Sequence, residues 1–424
     1  MENIYNVKDK TYEFVNKCES QIDFSNFDKI YEFNQLKVLN AFIKNKVSES
    51  SFNSSTGYGY NDLGRDIIEN VYRDVFKAED ALVRQQIVSG THAISLALFA
   101  LTRPNHNILS INGIPYDTLH ETLGIVESKS SLKSFNVSFD SIDLLNNDFN
   151  YDEIKNKILD NTRIVMIQRS RGYSTRYSLK LSQIKKAIEF VKSINKDIII
   201  LVDNCYGEFV NEIEPNELGA DIICGSLIKN IGGGLAKSGG YIVGKKNLIN
   251  LCAERLTAPG LGKEVGVTFN ENRNVLQGLY LAPQIVYNSL KISKLFAKVL
   301  NELNIDTIPR FNESFDDIVL SIKLNNNELL QKFCSIIQST SPVDSYLKPV
   351  STDMPGYDSE VIMAAGCFVS GSSIELSCDA PMREPYMAFM QGGLTYFQGK
   401  YALMKIVDEL DLLNETRWDT KIKN

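Results

Sequence analysis

Asp197-Ile198-Ile199-Ile200-Leu201-Val202-Asp203 sets five apolar residues between two aspartates, with no alternation. A strand half-exposed to water alternates apolar and polar residues; one buried on both faces does not. The run therefore predicts a central strand of a mostly parallel sheet covered by helices on both sides. The neighbouring sequence agrees. Leu82 to Val88, Ile108 to Ile111, Arg163 to Gln168, Asp221 to Cys224 and Gly240 to Val243 read as further short strands. Thr91 to Thr102 and Leu181 to Ile194 read as helices between them. Helical spacing fills residues 1 to about 50 and resumes from Asn61, with a Ser/Asn/Gly-rich stretch from Ser50 to Tyr60 between. One long helix is predicted from Val275 to Leu303. Short elements follow at Asp317 to Ile322, Glu328 to Ile337, Phe368 to Leu376 and Gln398 to Leu413, as a smaller α+β unit. The expected division is 1–75 as an N-terminal helical segment and inter-subunit loop, 76–275 as the large α/β domain, and 276–424 as the small domain.

The chain has 424 residues, and Lys plus Arg (45) falls short of Asp plus Glu (52) by seven charges. That balance argues against nonspecific nucleic-acid binding, which draws on clustered basic residues. The hydrophobic content of 43% suits a globular protein with an ordinary core, needing no metal or disulfide staple. Seven cysteines include no Cys-x-x-Cys pair, and an odd count suits free thiols in a reducing cytosol. The N-terminus has no apolar signal segment and no run approaches a membrane span, so a cytoplasmic location is expected. His92, His106 and His120 recur every 14 residues, which is not metal-ligand spacing; no metal site is expected.

Asp203 ends its strand, at the carboxyl edge where an open α/β sheet forms its ligand crevice. On its own it reads equally as a helix cap or a Mg²⁺ ligand. Lys229 follows the strand ending near Cys224 and precedes Gly232-Gly233-Gly234. A phosphate loop of the Walker type would need its glycines before the lysine, so that reading fails. A lysine desolvated in an apolar segment has a lowered pKa and is free for Schiff-base chemistry. Pyridoxal 5'-phosphate (PLP) chemistry needs such a pair, a lysine for the aldehyde and a carboxylate for the pyridine nitrogen. Ser89-Gly90-Thr91 stand where a strand passes into an apolar helix, an N-terminal anion site fit for a phosphate. Ser226 stands three residues before Lys229 and offers a hydroxyl to the same phosphate. Tyr116 follows the strand ending at Ile111 and can stack on a flat heterocycle.

These elements, in this order and each past a strand, resemble the fold-type I PLP enzymes of Cys/Met metabolism, the cystathionine lyase and methionine γ-lyase group. The wording is similar to that group's bacterial aluminium resistance branch. It is carried by Gly57-Tyr58-Gly59-Tyr60-Asn61-Asp62-Leu63-Gly64-Arg65, Gln168-Arg169-Ser170-Arg171-Gly172-Tyr173, Asp203-Asn204-Cys205-Tyr206-Gly207-Glu208, Ser226-Leu227-Ile228-Lys229-Asn230 and Gln391-Gly392-Gly393-Leu394-Thr395-Tyr396. The resemblance implies a seven-stranded sheet, PLP as a Schiff base on Lys229, and a homodimer or homotetramer with active sites at the subunit interface. It gives Lys229, Asp203 and Tyr116 catalytic roles. It places Ser89, Gly90, Thr91, Ser170 and Ser226 on the cofactor, and Tyr58 and Tyr60 on a neighbouring subunit's phosphate. Arg383 would grip the substrate's carboxylate; its alternative is an inter-domain salt bridge. The chain departs from the group's pattern at Ile228, where the general family has Thr, at Tyr58-Gly59-Tyr60, where it has Tyr-x-Arg, and at Ile231, where the branch has Pro. The expected activity is elimination of a thiol from a small sulfur-containing amino acid, at Cβ or Cγ. An aminotransferase or aldolase, and a non-enzymatic metal-binding resistance protein, are the alternatives.

Overall fold

A computed structural model describes residues 3–58, 61–354 and 359–414. Three helices open the chain: α1 (Asp9–Glu19), α2 (Ser25–Lys44) and α3 (Leu63–Val75). Strands and helices then alternate as β1 (Asp80–Arg84), α4 (Gly90–Leu101), β2 (Asn107–Ser110), α5 (His120–Leu123), β3 (Ser138–Ser141), α6 (Tyr151–Lys157), β4 (Thr162–Gln168), α7 (Leu181–Ile194) and β5 (Ile199–Asp203). β6 (Ile222–Ser226), β7 (Gly240–Gly244) and α8 (Lys246–Leu256) complete this part. A long helix, α9 (Asn272–Glu302), leads to β8 (Thr307–Ile308), β9 (Leu320–Lys323) and α10 (Asn327–Ser339). The chain continues through β10 (Val361–Ala365), β11 (Ser377–Pro381), β12 (Met387–Gln391) and α11 (Tyr396–Glu409).

The large sheet has the order β1-β7-β6-β5-β4-β2-β3, so β5 is central. Its pleat explains the unbroken apolar run. Ile200 and Val202 enter the core built with α3, α7 and α9, while Ile199 and Leu201 enter the core built with α4 and α8. β4 and β6 divide their side chains between the same two cores. β2 to β6 run parallel, and only β7 is reversed. Because β1 is antiparallel to β7, it points the same way as the parallel strands. Six strands therefore present their carboxyl ends at one edge.

The second sheet is antiparallel, in the order β10-β11-β12-β9-β8. The stretch from Phe368 to Leu376, expected as a regular element, is a loop before β11. The Glu375 carboxylate accepts the backbone N–H groups of Phe368 and Val369, both at 2.9 Å. A side chain thus takes over bonds that a ladder or helix would make. α1 is tied to α11: the Tyr396 hydroxyl and the Lys400 ammonium each donate to Glu19 at 2.6 Å.

The glycines behind Lys229 serve packing. A Cβ on Gly233 would lie 2.3 Å from the Gly278 carbonyl oxygen, and one on Gly278 would lie 2.2 Å from that of Gly232. The backbone after Lys229 rests directly on α9, and only hydrogen fits between them.

Candidate active site

The common strand direction brings the predicted residues to one edge. Gln168, ending β4, is in register with Asp203, ending β5, and Asp203 with Cys224 of β6. Asp203 is buried and accepts the Cys205 N–H at 3.1 Å. Burial pushes its carboxyl above the usual range, and the Lys229 cation opposes that shift. The ammonium nitrogen of Lys229 stands 4.0 Å from the centre of the Tyr206 ring, a cation–π contact. The Tyr206 hydroxyl donates to Ser373, 3.0 Å away in the loop before β11.

The lysine differs from the sequence expectation in one respect. Burial does lower its pKa, but Cys205, Tyr206, Asp203 and Tyr116 surround the amine, and the balance is raised well above the ordinary value. Burial pushes the Cys205, Tyr206 and Tyr116 groups up as well. They are neutral near pH 7, so Asp203 is the group whose charge holds the ammonium.

Ser89 caps α4, its hydroxyl accepting the His92 N–H at 3.0 Å. Behind it, a Cβ on Gly90 would lie 3.3 Å from the Cys205 sulfur and 3.4 Å from Ser226 Cβ. The helix N-terminus, Ser226 and the residues after Asp203 thus lie close together, with Gly90 buried among them. The Thr91 hydroxyl is 3.2 Å from the Tyr116 hydroxyl and 2.9 Å from that of Thr118. The Tyr116 N–H donates to the Gln168 side chain at 3.1 Å, fixing the loop that carries the ring.

An anion cradle, a buried carboxylate, an aromatic ring and an amine therefore meet in one crevice. This donor set fits PLP: N-terminal amides and hydroxyls for its phosphate, Asp203 for its ring nitrogen, Lys229 for its aldehyde.

Three predicted residues stand away from this crevice in the single chain. The Ser170 hydroxyl donates to Asp317 at 2.8 Å, joining the loop after β4 to the segment before β9. Arg383 is exposed in the turn between β11 and β12 and forms no ion pair among the described residues, so the inter-domain bridge weighed for it is not made. Tyr58 is 86% exposed. Its loop is pinned beside it, the Gly57 carbonyl accepting from Gly266 at 2.9 Å and from Arg65 at 3.4 Å. Tyr60 lies outside the described residues.

Sequence reasoning passed over Cys205 and Tyr206, although both sit within three residues of Asp203. It also passed over Asp379 of β11, which is half-buried and accepts from Gln391 at 3.1 Å. Its carboxyl is pushed up by burial and drawn back by hydrogen bonds from Gln391 and Tyr173 and by the Lys229 charge. Adjacency to Asp203 could have flagged the first two; nothing local marks Asp379. No helix among the described residues is long and apolar enough to cross a membrane.

The chain resembles several known proteins. A solved structure from Listeria monocytogenes, a proposed cystathionine beta-lyase involved in aluminum resistance, is 48% identical with a TM-score of 0.91, covering 93% of this chain and 99% of that one. A carbon-sulfur lyase involved in aluminum resistance from Clostridium novyi is 45% identical with a TM-score of 0.91, covering 96% and 97%. The uncharacterized protein YnbB of Bacillus subtilis is 47% identical over 386 residues, 90% of this chain and 92% of that one. The model of the methionine gamma-lyase family matches residues 9–411. The chain belongs to the methionine gamma-lyase family, a group of PLP-dependent lyases, and shares its fold.

Proposed function

We propose that this enzyme eliminates a thiol from a sulfur-containing amino acid, as a cystathionine β-lyase or methionine γ-lyase does. One observation carries the reading: Lys229, Asp203, Tyr116 and the Ser89-Gly90-Thr91 cradle converge at a single sheet edge. When bound, PLP supplies an electron sink for charge developing at the substrate's Cα. Asp203, whose buried carboxyl resists ionisation alone, would hold the ring nitrogen and be kept ionised by its positive charge. Lys229 would hold the cofactor aldehyde. Its amine, kept in place by the Tyr206 face, would serve as the base for the Cα proton. Tyr116, its hydroxyl held by Thr91, would offer an aromatic face to the ring. Thr91, Ser89, Gly90 and Ser226 would hold the phosphate. The sulfur leaves as a thiolate, and with one water the products are a thiol, a 2-keto acid and ammonium.

Tyr58 supports a homodimer or homotetramer. A tyrosine 86% exposed on a pinned loop is suited to reach a neighbouring subunit. Seven free cysteines, six of them buried, suit a reducing cytoplasm.

The test is a panel of thioether amino acids given to the PLP-loaded enzyme. Thiol and keto acid released in equal amounts support the lyase. Amino-group transfer to an added keto acid, with no thiol, replaces it by an aminotransferase.

A further inference from the structure

Tyr206 stands three residues after the end of β5 but takes its surroundings from the second sheet. Its ring packs against the cluster of Val319, Met387 and Phe389, and its hydroxyl donates to Ser373 at 3.0 Å. The loop that carries Ser373 is itself pinned to the end of β12. The Gly393 N–H donates to the Ile374 carbonyl at 2.8 Å, and a Cβ on Gly392 would lie 2.6 Å from the Ser373 carbonyl oxygen. Tyr206 has a φ of 68°, a left-handed backbone that bulky side chains avoid. Such a conformation persists only where its surroundings impose it, and it clusters where chemistry needs a side chain aimed.

The aimed face meets Lys229, whose nitrogen stands 4.0 Å from the ring centre. Among the described residues the ammonium donates no hydrogen bond and has no carboxylate within 4 Å. Asp203, Cys205 and Glu208 face it from β5 and the segment that follows, Tyr116 from the loop after β2, and Asp379 from β11. Burial raises the pKa of all five. Tyr206 adds an interaction of another kind. The negative face of an aromatic ring attracts an ammonium, and a neutral amine brings no charge for it to meet. A contact made with only one of two states changes the step between them. When Lys229 serves as the base, the Cα proton passes to its nitrogen, the bonding pair stays with the carbon, and an ammonium forms against the ring. When the free chain must instead attack an aldehyde, the ring holds the amine in its unreactive form.

We propose that Tyr206 is a positioning residue, held by the second sheet so that its face receives the Lys229 ammonium formed in proton transfer. The inference rests on the reading of Lys229 as the base.

Two rates test it. The free chain is treated with acetic anhydride at pH 7, and acetylation of Lys229 is followed by peptide mass, since only the neutral amine reacts. The PLP-loaded chain is given L-methionine or S-ethyl-L-cysteine in heavy water, and exchange of the Cα hydrogen is followed by NMR. Tyr206→Leu should acetylate faster than the wild type by roughly threefold or more, and should exchange slower by a similar factor. A ring that merely supports the fold has no reason to quicken one rate and slow the other. Should that variant fail to fold, Tyr206→Phe is compared with a chain carrying pentafluorophenylalanine at position 206. The two rings share a shape, but fluorine reverses the charge of the face. The fluorinated chain should therefore acetylate faster and exchange slower than Tyr206→Phe. Any other pattern, with the rates moving together or either one unchanged, overturns the proposal. Exchange that follows these rules without release of thiol would retain Tyr206 and sink the lyase instead.

Discussion

At Lys229 two opposing effects meet, and their sizes decide what the residue can do. Burial alone would lower its pKa, but the groups around it, Asp203 among them, raise it again, so the free protein carries a charged amine that must lose its proton before it can attack the cofactor aldehyde. Lys229→Ala is expected to abolish covalent cofactor attachment and thiol release together. Borohydride reduction and peptide mapping of the wild type check the assignment, since pyridoxyl on another lysine refutes it. Asp203→Asn keeps the shape but cannot hold a ring nitrogen protonated. The visible band should remain while kcat falls by orders of magnitude. A near-normal kcat would leave Asp203 as a cap for the Cys205 N–H. Both residues were legible in sequence because each follows a strand. The company they keep was not: Tyr206 reaches Lys229 by a turn with φ of 68°, which no apolar pattern announces.

Elements were legible in proportion to how completely they are buried. β5 and α7 stand within two residues of their expected bounds, because an apolar run and a clean helical stripe each allow one burial. The small sheet was harder. β11 reads Ser-Cys-Asp-Ala-Pro, with neither alternation nor branched residues, and is held as a strand by its partners β10 and β12. The glycines behind Lys229 were read as surroundings for an amine; their contact with α9 could not be seen without the fold. That contact has a consequence. Gly278→Ala puts a methyl 2.2 Å from the Gly232 oxygen, backbone against backbone, so α9 or the lysine segment must move. The variant should lose about 1–3 kcal/mol of stability, as overpacking does, and PLP affinity with it. Thermal unfolding with a PLP titration measures both. A loss of stability with unchanged PLP affinity would show that the shift is taken up by α9 alone.

Across the whole molecule, the sequence gives a net charge but not the buried acids that make stability depend on pH. Glu208 is fully buried behind the crevice. Its Oε1 accepts from the Tyr241 hydroxyl at 2.6 Å, and its backbone carbonyl accepts from Asn230, the neighbour of Lys229, at 3.0 Å. The other carboxyl oxygen, Oε2, has no hydrogen-bond partner among the described residues. Burial raises its pKa from 4.5 to about 8, against the pull of Tyr241 and Lys229. For an acid raised in this way, the folded chain keeps a proton that the unfolded chain releases. Between about pH 4.5 and pH 8 the unfolded state binds fewer protons, so this group makes stability fall as pH rises, by up to ~1.4 kcal/mol per unit. Below that window both states are protonated, and above it both are ionised, so its contribution is flat at either end. Glu208→Gln keeps the shape and the acceptor for Tyr241 but cannot ionise. Denaturant unfolding of both proteins from pH 5 to pH 8.5 should therefore show the variant gaining on the wild type with each unit up to about pH 8, then running parallel. Curves that stay parallel throughout would mean that Glu208 is ionised in the fold, with the Lys229 cation as its counter-charge.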